Sequence, residues 1–189
     1  MAYHTTEDTP HMNKYINTFE DLLTQEDWSY QKHDGDNRVY LSSSYSGQNA
    51  SVTLVLDANL KKDWVMSFVY LPSKIQQAFR PAIAELLCRI NLSEIGLGHF
   101  DLDFDDGEIR FRIIFDLEGS NFSIEMARNM RDQALLTVDK FYPAIMAVLY
   151  GDKTAQEAID KSLELHQKYL QDTKTPTPEA DNDTALSLH

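Results

Sequence analysis

The chain has 189 residues, room for one domain with a buried core and short flanking segments. Hydrophobic residues at 42% and charged residues at 25% describe a chain that folds rather than staying disordered. Thirty acidic side chains against 17 basic ones leave a formal charge of -13, a field that repels phosphate backbones and anionic lipid, so neither nucleic acid nor a membrane surface is expected as a partner.

The opening, Met1 to His11, is polar and should fray. Met12, Tyr15, Ile16, Phe19, Leu22 and Leu23 then recur at three- and four-residue intervals, which predicts a helix over Met12 to Glu26 with one buried face. Asp27 to Asp36 is a transition around Trp28 and Tyr30, with room for a short edge strand. Alternation predicts strands at Arg38 to Ser46, Ser51 to Asp57 and Trp64 to Leu71, joined by tight turns at Gly47-Gln48-Asn49 and Asn59 to Asp63. After Pro72 the period changes to about 3.6, and Ile75, Phe79, Ile83, Leu86, Leu87 and Ile90 form the stripe of a helix over Lys74 to Asn91. Pro81 either kinks this helix or marks where it properly begins.

Between His99 and Leu117, Phe100, Leu102 and Phe104 share one face and Asp101, Asp103 and Asp105 the other. Asp106-Gly107 is a strong hairpin signal. As a two-residue loop it would set Asp105 opposite Glu108, Asp103 opposite Arg110 and Asp101 opposite Arg112, with Phe104 facing Ile109. Ser120 or Asn121 can cap a long helix from Phe122 to Tyr150, bent by Pro143 and stopped by Gly151. Thr154 and Glu157 form a capping box for a further helix from Ala155 to about Leu170. The thin acidic end should be a disordered tail. The expected organisation is therefore a flexible start over residues 1–11, a domain over 12–151, an additional helix over 152–171 and a tail over 172–189. The fold class is two-layer α+β, in the order α-β-β-β-α-β-β-α with antiparallel strands.

Chemical motifs are sparse. The histidines, His4, His11, His33, His99, His166 and His189, are scattered without metal-ligand spacing, and no phosphate-binding glycine loop is present. Asp101, Asp103 and Asp105 start like a calcium loop, but Asp106 stands where glycine is needed and Arg112 where a bidentate acid is needed. Asp105, Asp106 and Glu108 read as a solvated acidic rim, with a weak divalent-cation site as the sharper alternative. Cys88, beside an apolar stripe, is expected to be a small buried hydrophobe. It is the only cysteine and forms no internal disulfide, and no stretch approaches about 18 apolar residues, so a cytoplasmic protein is expected. No catalytic, cofactor-binding or metal residues are assigned. Phe122, Met126, Met130 and Met146 exceed what a small core needs, which leaves a homodimer contact open.

The run Glu85-Leu86-Leu87-Cys88-Arg89-Ile90-Asn91, followed by Gly98-His99-Phe100-Asp101-Leu102-Asp103-Phe104-Asp105-Asp106-Gly107-Glu108-Ile109-Arg110-Phe111-Arg112, resembles the central signature of the YbjN family of bacterial sensory transduction regulators. Trp28, Val69 to Pro72, and Tyr142-Pro143 with Gly151 fit the same pattern, so the resemblance covers about residues 12 to 151. It implies a fold similar to type III secretion chaperones, often homodimeric, which bind an extended stretch of a partner protein. It brings no catalytic residues. The expected function is a non-catalytic protein-binding or chaperone-like adaptor, with a protein partner held by apolar docking on the sheet or along the first helix and basic sequences favoured by the acidic rim. The alternative is a small-ligand sensor or enzyme with a pocket near His99, Asp101 and Arg112.

Overall fold

The computed structural model describes residues 9–35, 38–59 and 62–173. The elements are α1 (Thr9–Gln25), β1 (Gln31–Gly35), β2 (Arg38–Ser46), β3 (Ser51–Asn59), β4 (Trp64–Tyr70), α2 (Arg80–Ser93), β5 (His99–Leu102), β6 (Ile109–Asp116), α3 (Ile124–Tyr150) and α4 (Ala155–Asp172). The sheet is antiparallel throughout, in the order β1-β2-β3-β4-β6-β5. It has six strands, because the transition after α1 does pair, as edge strand β1. Helix α1 packs on β2 and β3, α3 on β4 and β6, and α2 on β5, while α4 lies over α2 and α3. This is the two-layer α+β architecture expected, with the additional helix forming an outer cover.

Alternation decides which face is covered. Rows such as Leu41-Leu56-Ser67-Ile113 and Val69-Phe111-Phe100 point toward the helices and join the central core with Phe19, Ile83, Leu86, Ala134 and Phe141. Phe122 links α1 to α3 by edge contacts with Tyr15 and Phe19 at centroid distances of 6.3 and 5.0 Å. Helix α1 closes as a Schellman motif: Asp27 adopts φ 56° and the Trp28 amide donates to Leu23 O at 2.8 Å.

Several boundaries move for identifiable reasons. Helix α1 begins at Thr9, so residues 9–11 are helical rather than frayed, and Pro10 falls in the first turn, where its missing N–H is harmless. The same reasoning resolves Pro81: a 3-10 turn at Gln77–Phe79 leads into α2, and Pro81 stands in the first turn. Ser123, not Ser120 or Asn121, caps α3 by accepting from the Met126 amide at 3.2 Å. The capping box of Thr154 and Glu157 is present at α4, which runs on to Asp172. The remainder of the expected start and tail, residues 1–8 and 174–189, lies outside the described residues.

The β5–β6 hairpin is shifted by two residues from the expected register. Phe100 pairs with Phe111, Asp101 with Arg110 and Leu102 with Ile109. The cause is local competition: Asp103 Oδ1 accepts from the Asp105 amide at 2.8 Å, and the Gly107 amide bonds Asp103 O at 2.8 Å, which opens a wider turn. Gly107 has φ +83°, and a Cβ there would meet Ile75 O at 2.1 Å, so this turn is pressed against the segment before α2. A shift of two preserves the faces but leaves Phe104 in the turn, 56% exposed.

Proline 143 stays inside α3. Lacking an N–H, it frees the carbonyl of Asp139, which instead accepts from Asn49 Nδ2 at 3.0 Å. One residue on, Lys140 O accepts from Ser162 Oγ of α4 at 2.6 Å. Asp139 also takes the amides of Asn49 and Ala50 on Oδ1, and Gly47 is packed so close that a Cβ would lie 2.2 Å from that oxygen. The proline is thus the junction where the β2–β3 turn and α4 both attach.

Candidate functional site

The face of the sheet opposite the helices carries the most unusual chemistry. The pairing register places Tyr40, Asp57, Met66 and Ile114 in one row, Val55, Phe68, Arg112 and His99 in the next, and Tyr70, Arg110 and Asp101 beyond them. Arg38, Asn59, Trp64 and Asp116 close the other end. Among the paired positions of this face there is no Lys and no Glu; Arg and aromatic residues are frequent around Asp57 and Phe68, the composition of an interface centre, whereas Gln31, Ser42, Ser44, Ser46, Ser51 and Thr53 form a small polar end. At the paired positions Arg38, Arg110 and Arg112 match Asp57, Asp101 and Asp116 in number on a chain of charge -13, and the Lys62 ammonium lies 4.1 Å from the centroid of the Trp64 ring.

Phe68 is 6% exposed yet stands apart from the central core. It is covered by its own neighbours: the guanidinium carbons of Arg38 and Arg110 lie 5.8 and 5.3 Å from its ring centroid. Arg38 also lies 5.6 Å from the Tyr40 ring and pairs through Nε with Asp57 Oδ2. The Asp57 carboxylate is fully buried beneath that side chain, and its Oδ1 has no hydrogen-bond partner among the described residues. Burial pushes the Asp57 carboxyl above the usual carboxylate range, against the pull of Arg38. Nothing in the motif reading singled out Asp57. The available signal was its place in β3, in phase with the outward residues Thr53 and Val55 while carrying a charge.

The structure does bring His99, Asp101 and Arg112 together. Arg112 Nε lies 3.0 Å and Arg110 Nε 3.2 Å from Asp101 Oδ2, and His99 Nε2 accepts from Arg112 at 2.8 Å. The shifted register gives Asp101 both arginines, while Asp103 turns to its own loop. A shallow depression lined by Asp101, Arg110 and Arg112 with Leu102, Asp103 and Glu108 borders the cluster, and His99 lies outside its lining. Its two arginines are engaged by Asp101. Among the described residues no group of three or more His, Cys, Asp or Glu is placed to hold a metal ion. In the acidic rim, Lys74 pairs with Asp106 and, with the Glu108 amide, holds that carboxyl below its usual range.

Other expectations are corrected. Cys88 is exposed on α2, because its position falls one step off the buried stripe of Leu86, Leu87 and Ile90. Phe122 and Met130 are buried, and Met126 and Met146 are packed against the core, so these side chains are absorbed by one chain. Helix α1 turns its apolar stripe, Tyr15 to Leu23, inward, away from any partner. A small apolar groove does lie between the segment before α2 and the end of α3, lined by Leu71, Ile75, Phe79, Tyr142, Met146 and Leu149.

The β5 edge of the sheet is less open than the face. The Asn91 amide bonds both backbone groups of Phe100, donating to O at 3.0 Å and accepting from N at 2.8 Å, which occupies the outer edge of β5. Edge strand β1 is polar and mostly exposed.

Among the described residues no helix is long and apolar enough to cross a membrane. No curated protein matches the chain. The profile of the YbjN family, described as "putative bacterial sensory transduction regulator", matches residues 16–147, from α1 through most of α3, and its description supports a regulatory or adaptor-like role. With most of its length matched, including the sheet and the hairpin, the chain belongs to the YbjN family.

Proposed function

We propose that this protein is a non-catalytic adaptor that holds a partner protein on the open face of its sheet. The observation that carries the reading is the face itself: Tyr40, Trp64, Met66, Phe68, Tyr70 and Ile114 with three arginines, charge-matched at its paired positions on an acidic molecule and opposite the helical layer. Blocking of the β5 edge by Asn91 favours docking on the face over addition of a strand at that edge. Docking there would regulate by occupying the partner, in keeping with the family's description. A cytoplasmic site of action belongs to this reading and suits a lone, exposed thiol.

A photo-reactive amino acid at position 114, on the face, is compared in living cells with one at position 136, where Leu136 is exposed on α3. The expected result is one discrete cross-linked protein from position 114 that is absent from position 136 and lost with Met66→Asp. Equal capture from both positions overturns the assignment of the face.

A further inference from the structure

The ion pair at the centre of the open face has the form of a receptor already holding a ligand. Asp57 is at its floor, fully buried, with one oxygen taken by Arg38 and the other without a donor among the described residues. Tyr40 and Phe68 form its walls, each with the Arg38 guanidinium near its ring. A carboxylate removed from water with one oxygen unsatisfied is costly, and a single cation does not repay it unless the remaining lone pairs are filled. Arg38, with its Nε on Oδ2 and its side chain 51% exposed, leaves Oδ1 unfilled. A guanidinium presenting two parallel N–H groups would satisfy both oxygens at once.

Resting on the docking reading above, we propose that the partner is an extended basic protein segment, and that one of its arginines takes the Asp57 carboxylate from Arg38 between Tyr40 and Phe68. The chain's net charge of -13 attracts such a segment at long range, and the rings supply the cation–π contacts that Arg38 and Arg110 already use. Arg38 is the resident that keeps the site closed when no segment is bound. Its exposed side chain can swing to water without unfolding any strand.

The full chain, labelled for NMR, is titrated with a five-residue peptide in which arginine is flanked by valine and leucine, and with its neutral citrulline twin. The arginine peptide is expected to shift the amides of β2, β3 and β4 and to bind about tenfold more tightly than the citrulline peptide. That preference should fall to near parity in Asp57→Asn and widen several-fold in Arg38→Gln, which vacates the cradle. In the unsubstituted protein the Asp57 carboxyl carbon signal should move with the arginine peptide alone, a readout independent of how well either variant folds. Equal binding of both peptides on the open face overturns the arginine receptor and leaves the docking face standing. Shifts confined to the helical side, or no shifts at all, overturn it as well, and only cross-linking at position 114 then speaks for the face.

Discussion

Asp57 should leave its mark on the pH dependence of stability. Its carboxyl is held above the ordinary value by burial, so the folded state binds more protons than the unfolded state in the interval from the ordinary carboxylate pKa up to the raised one. Stability must fall as pH rises through that window. Glu26 acts in the opposite sense: hydrogen bonds from Arg128 and Arg131 hold its carboxyl low, and the stability it contributes is lost as pH drops through its folded pKa. Asp57→Asn is therefore expected to flatten the decline on going from pH 4 toward neutrality while leaving the acid limb unchanged, as measured by thermal melts across pH. A variant that declines in parallel with the unsubstituted protein would show that Asp57 is solvated. Burial at single positions was the least legible property of the sequence. Cys88 and Phe104 both sit in apolar patterns, yet one is placed just off a helical stripe and the other in a turn whose width an aspartate side chain sets.

At the scale of elements, alternation located β2 to the residue, and β3 and β4 to within two, because each strand has one face on the helices and one in the open. What alternation could not supply was the partner of each backbone group. The two-residue shift of the hairpin and the capping of α3 by Ser123 both follow from side-chain oxygens capturing nearby amides, a contest among several local candidates. Asn91 illustrates the same point across elements. Asn91→Ala should cost about 1–2 kcal/mol through two lost hydrogen bonds to Phe100, and it frees the β5 edge, so concentration-dependent association should appear by light scattering. A destabilised but strictly unassociated variant would mean that the edge is protected by something besides the amide. At Pro143, Asn49→Ala removes a donor from the Asp139 carbonyl and Ser162→Ala a donor from the Lys140 carbonyl, and each should cost about 1 kcal/mol in urea melts. Because both carbonyls belong to adjacent residues of one helical turn, the double variant is expected to deviate from additivity.

For the molecule as a whole, α4 lies outside the family match and buries Ala155, Ala158, Ile159 and Ser162 against the helical layer. Ending the chain at Gly151 should lower the melting temperature, raise the binding of an apolar dye, and increase the light-scattering mass as the uncovered helices seek other contacts. If mass and dye binding both stay unchanged, α4 is an appendage rather than a cover. The acidity of the chain sits largely away from the open face, where charges are matched. The candidate site was legible only in outline, since its strands came from periodicity whereas its matched charges came from a register that no local pattern encodes.

The strand order also orders events in time. Strands β1 to β4 meet their neighbours through short connections, but β6 joins β4 only after the chain has passed through α2 and β5. Closing that seam costs the largest loop entropy in the sheet, so the meander can assemble early while the seam zips late. Trp64 pairs with Asp116 at one end of the seam. With Trp28 replaced, the fluorescence of Trp64 should therefore report the last strand to arrive, and with it the completion of the open face, which spans the seam.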